Sequence, residues 1–98
     1  MNSTEQTTDI ILFEQYRQRY MFLMAKQSDL IDEQDDLHQK MNLAIQKADD
    51  TLYSQFREQY NSISTTIADL QNETDELYEK IREIHLQYLA KKMKNTLV

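Results

Sequence analysis

The sequence predicts an all-α fold: an antiparallel two-helix coiled-coil hairpin, completed by oligomerisation into a helical bundle. Three observations carry this reading. The 98 residues contain no Gly, Pro, Cys or Trp. Apolar residues recur at alternating spacings of three and four through most of the chain. The phase of that repeat jumps once, beside a pair of aspartates. A compact β fold leans on Gly and Pro for its tight turns, whereas a three-four alternation draws one stripe along an α-helix and is the signature of a coiled coil.

Taken in order, residues 1–8 are polar and aperiodic and read as a flexible N-terminal tail, although Ser3-x-x-Gln6 matches a capping box that starts a helix early. Helix one, about 9–47, places Phe13, Tyr20, Gln27, Gln34, Met41 and Ala48 at heptad position a, and Tyr16, Leu23, Leu30, Leu37 and Ala44 at d. Helix two, about 52–94, has Tyr53, Tyr60, Ile67, Thr74, Ile81 and Tyr88 at a, and Phe56, Ile63, Leu70, Leu77 and Ile84 at d. Ala48 and Tyr53 are both a-positions but stand five residues apart, whereas ordinary coiled-coil discontinuities insert three or four. One continuous helix would carry its apolar stripe round to nearly the opposite side. A chain that turns at about 48–51, where Asp49-Asp50-Thr51 supplies helix-capping residues, keeps both stripes facing each other. Each arm is then roughly 60 Å long at about 1.5 Å per residue. With no Gly or Pro to force the turn, one unbroken helix in a long oligomer is the alternative.

An antiparallel coil usually sets an a-residue against a d-residue. Pairs whose numbers add to 97 satisfy this throughout, among them Phe13–Ile84, Leu23–Thr74, Gln27–Leu70, Gln34–Ile63 and Ala44–Tyr53. A register adding to 104 is the runner-up. Gln27, Gln34 and Thr74 are the polar seam positions; a polar residue there lowers stability but fixes register or oligomer state.

Composition excludes much chemistry. Without Cys there is no disulfide scaffold, thiolate metal site or cysteine nucleophile; without Gly there is no P-loop, dinucleotide fingerprint or nucleophile elbow. His38 and His85 lie off the seam without the Glu-x-x-His spacing of a bundle metal site. None of the a and d positions named above carries a carboxylate or His, where a dry core would shift its pKa. The expectation is a non-enzymatic protein with no catalytic, cofactor-binding or metal site.

A two-helix hairpin has one seam and little core, and small single-core chains are marginal unless stapled or oligomeric. Apolar residues also lie beside the seam, at the e-positions Ile10, Met24, Ile31 and Ile45. Residues 10–13 and 20–25 are apolar all round, and Leu86, Leu89, Met93 and Leu97 form a second stripe. An exposed patch of this kind marks an interface. The partner-binding residues expected are Phe13, Tyr20, Phe22, Leu23, Met24, Leu86, Leu89 and Met93, with Arg17, Lys91 and Lys92 as steering charges.

Charge is divided along the chain. Residues 10–26 and 78–98 hold eight basic and three acidic side chains, a balance of +5; residues 27–77 hold three and twelve, a balance of −9; Glu5 and Asp9 complete the net −6. The acidic balance argues against direct nucleic-acid binding, which rests on neutralising phosphate charge. No run of about 18 apolar residues is present, so no transmembrane segment is expected.

In composition and architecture the chain resembles the small helical chaperones of type III secretion, which are acidic, Gly-poor coiled-coil proteins with exposed apolar seams; no shared motif accompanies the resemblance. The helical hairpins of type VII secretion carry Trp-x-Gly at the turn, and type III needle subunits carry prolines there; this chain has none of these residues.

The functional expectation is a protein–protein interaction module, an adaptor, scaffold or small helical chaperone. It would act through coiled-coil or helix-in-groove contacts, with a second copy (a homo-oligomer, a dimer first) or a partner's amphipathic helix as ligand. The alternatives are a secretion-type chaperone or apparatus component, and an acidic inhibitor that mimics phosphate before a nucleic-acid-binding protein. A cytoplasmic location, or export without a classical signal, follows from the absence of a basic-then-apolar leader. Contact of the basic, apolar end with a membrane surface is the remaining option.

Overall fold

The computed structural model describes residues 2–96, with side chains over 8–94. They form two α-helices, α1 (Asn2–Gln46) and α2 (Asp50–Thr96), and no strand is present among the described residues. The chain is an all-α helical hairpin. Helix α1 begins at Asn2, ahead of the expected start near residue 9, so the tail expected over 1–8 is helical from residue 2. No Gly or Pro in that stretch opposes a helix. The turn occupies only residues 47–49, shorter than the expected 48–51, because Asp50 and Thr51 already belong to α2.

Two overlapping caps make the turn this short. Ala48 has φ 53°, the left-handed region. Its N–H donates to the Ile45 carbonyl at 3.0 Å, and the Asp49 N–H donates to the Ala44 carbonyl at 2.9 Å. These two bonds are the Schellman pattern that satisfies the last carbonyls of a helix. Asp49 also caps the next helix. Its carboxylate Oδ1 accepts from the Leu52 N–H at 3.0 Å, and its carbonyl accepts from the Tyr53 N–H at 3.0 Å, which places Asp49 at the N-cap of α2. The residue that ends α1 therefore begins α2, and no Gly is involved.

The chain divides into two compact units. The turn unit spans Met24–Asn72. Its buried residues are Gln27, Leu37 and Ala44. Gln34 Nε2 donates to Ser64 Oγ at 2.6 Å, and the Lys40 ammonium lies 6.0 Å from the centre of the Phe56 ring. The numbers of these two pairs add to 98 and 96, so the antiparallel register is the one near 97 and not the one near 104. The polar stretch 64–66 stays helical by turning its hydroxyls back on the helix: Ser64, Thr65 and Thr66 donate to the carbonyls of Tyr60, Asn61 and Ser62 at 3.1, 3.2 and 3.2 Å.

The terminal unit pairs the α1 segment ending at Leu23 with the α2 segment beginning at Glu73. Leu23, Thr74 and Leu77 are its buried residues, and the Lys80 ammonium stands 5.5 Å from the Tyr16 ring centre, again a pair adding to 96. In both units every buried side chain occupies an a or d position of the repeat. The other seam residues are half-buried, apart from Ala48 and Tyr88, which are exposed.

Candidate interaction surface

The seam has two edges, and the sequence treats them differently. Along one edge, heptad position g of α1 carries Leu12 and then the charged Arg19, Lys26, Glu33, Lys40 and Lys47. Arg19 reaches across in the terminal unit, its Nη2 3.1 Å from Glu73 Oε1. Lys40, bridged to Asp36 at 3.0 Å, lays its stem toward Phe56 in the turn unit. Long charged side chains of this kind cover apolar surface with their methylenes while their heads stay in water. Along the other edge, four of the six e-positions of α1 from Ile10 to Ile45 are apolar: Ile10 in the terminal unit, 58% exposed, and Met24, Ile31 and Ile45 in the turn unit, 44%, 48% and 59% exposed; Arg17 and His38 are the other two. In the terminal unit this second edge also holds a hollow of about 260 Å³ lined by Asp9, Ile10, Phe13, Glu14, His85 and Tyr88.

All the expected contact residues but Met24 belong to the terminal unit. Phe22, Leu86, Leu89 and Met93 are exposed, and Phe22 has the Arg19 guanidinium 5.6 Å from its ring centre. Phe13 and Tyr20 are half-buried in the seam. Arg17 is held by its neighbours, its Nε 3.3 Å from Glu14 Oε1 and its Nη1 3.8 Å from Met21 Sδ. Lys91 Nζ donates to Asp9 Oδ2 at 3.2 Å and ties the first helix to the second. Lys92 is exposed.

Three assignments change. Leu23 is 1% exposed; as a d-residue packed in the seam it serves the core and offers no surface to a partner. Met24 is assigned to the turn unit, not to the terminal unit of the other expected contacts, and is 44% exposed. Tyr88, assigned to the seam, is 50% exposed. Its counterpart in the register is Asp9, which is engaged by Lys91, and the ring lines a hollow together with Ile10 and Phe13. Leu97 lies outside the described residues. The sequence reading passed over Tyr78 and Leu43, both more than half exposed; the signal was an apolar side chain at an e- or c-position beside a polar run.

Among the described residues no group of three or more His, Cys, Asp or Glu side chains is placed to hold a metal ion. No described helix is long and apolar enough to cross a membrane. Another concavity, lined by Asp75, Glu79, Lys80, Glu83 and neighbours, draws every residue from α2 and is open. Comparison with protein-family models, curated proteins and solved structures finds no match.

Proposed function

We propose that this protein is a non-enzymatic protein–protein interaction module, an adaptor, scaffold or small helical chaperone that works through its uncovered apolar surfaces. One observation carries the reading: of the six e-positions of α1 from Ile10 to Ile45, the four held by Ile10, Met24, Ile31 and Ile45 are apolar and exposed, while five of the six g-positions from Leu12 to Lys47 are charged. A hairpin that needed only to stay dissolved would favour charged residues on both edges. Apolar side chains at e widen the stripe from a two-helix seam to the face of a larger bundle. The exposed Phe22, Leu86, Leu89 and Met93 add aromatic, Leu and Met surface suited to receiving a helix.

The test is site-specific photo-cross-linking in the cells that make the protein. A photoreactive residue at Phe22 or Leu89 should trap a protein, whether a foreign chain or another copy, and the same residue at the exposed polar Gln39 should trap far less. Equal or absent capture at all three positions would refute the reading.

A further inference from the structure

Two exposed segments, one in each unit, match in apolar spacing and oppose in charge. Residues 24–36 of α1 hold five acidic side chains and one basic one, Lys26, and among the described residues Asp32 and Asp35 make no ion pair. The same stretch of helix presents Met24 and Ile31, exposed and seven residues apart. Residues 82–94 of α2 hold Arg82, Lys91, Lys92 and Lys94 against Glu83 alone. That segment presents Leu86 and Met93, also exposed and seven residues apart, with Leu89 between them. Seven residues are two helical turns, about 10 Å of axis, so the two apolar rows have the same pitch and can interdigitate.

We infer that a second copy of this chain is the ligand of this surface: the 82–94 segment of one copy docks on the 24–36 segment of the other, Leu86 against Met24, Met93 against Ile31 and Leu89 between them, with Lys92 and Lys94 facing Asp32 and Asp35. The inference rests on the interaction-module reading and names its partner. Both halves of the contact are carried by one sequence, so two copies form it twice about a twofold axis, the commonest symmetry of soluble oligomers. Leu86 and Met93 stand at heptad position f and Leu89 at b, on the side of α2 away from the seam, so each contact sets α2 of one copy on α1 of the other. The opposed charges steer association and set the direction of the contact; apolar burial holds it.

The test is solution mass by light scattering of the full chain and two charge-reversed variants. The wild type should have twice the mass of a single chain in low salt and weaken by about tenfold in high salt. Asp32→Lys with Asp35→Lys sets basic on basic, and Lys92→Glu with Lys94→Glu sets acidic on acidic, so each variant alone should remain single. An equimolar mixture of the two restores both contacts and should pair again. All four positions are exposed, and circular dichroism should show unchanged helicity. A wild type that stays single, variants that pair as the wild type does, or a mixture that stays unpaired would each overturn the inference. A single wild type that nevertheless cross-links to a foreign protein through Phe22 or Leu89 removes the second copy and keeps the interaction module; no cross-link at all removes the module too.

Discussion

Gln34 and Ser64 are joined across the helices of the turn unit by a 2.6 Å hydrogen bond, and the Ser64 hydroxyl donates onward to the Tyr60 carbonyl at 3.1 Å. The amide is thus satisfied inside a seam that is otherwise largely apolar, and it is satisfied only in this register. A double-mutant cycle with Gln34→Ala and Ser64→Ala should return a coupling of about 0.5–1.5 kcal/mol in urea unfolding. A coupling near zero would mean that the pair does not guard the register. Gln34→Leu should raise the unfolding midpoint while broadening the distribution of oligomers seen by sedimentation.

Ala48 occupies a left-handed position that favours Gly. Ala48→Gly keeps both hydrogen bonds of the α1 cap and removes the Cβ clash, so it should stabilise the hairpin by about 1 kcal/mol. For a chain of this size that is roughly 4–8 °C in Tm. A fall in Tm would show that the loss of chain entropy in the unfolded state favours Ala here.

Asp49 and Asp50 are adjacent and chemically alike, yet only Asp49 caps α2 through its side chain. Asp49→Ala should cost about 1 kcal/mol and Asp49→Asn much less, since an amide oxygen also accepts from Leu52. Asp50, in the first turn, interacts only with the helix dipole, and Asp50→Ala should cost no more than about 0.3–1 kcal/mol. Chemical denaturation of the three variants checks the order.

Leu23 and Phe22 are neighbours with opposite roles. Leu23→Ala opens a cavity in the terminal unit and should cost about 2–5 kcal/mol. Phe22→Ala removes exposed surface and a cation–π contact, and should change stability by no more than about 1 kcal/mol. The same substitution should cut photo-cross-linking from Leu89 if Phe22 belongs to the interaction surface. Stability losses of equal size would place Phe22 in the core.

The Arg19–Glu73 bridge is half-exposed at both ends. Its cycle energy should be about 0.2–1 kcal/mol and shrink as salt is added. Salt-insensitive coupling would mean that packing of the arginine stem, not charge, joins the helices there.

The one-dimensional pattern determined the helical class, the faces that meet, the register near 97 and the place of the turn. Every buried residue sits where the heptad put it, because helical periodicity is a local property that any long enough repeat imposes. Depth was not legible in the same way. Leu23 at 1% and Tyr88 at 50% hold equivalent places in the pattern, and the difference lies in what stands across from them: Thr74 for one, an Asp9 already taken by Lys91 for the other. Ser64 was silent in the sequence and became the partner of Gln34 only when the helices met. A repeat says which way a side chain faces; how much water it keeps depends on the chain it meets, and that is decided only when the two helices pack.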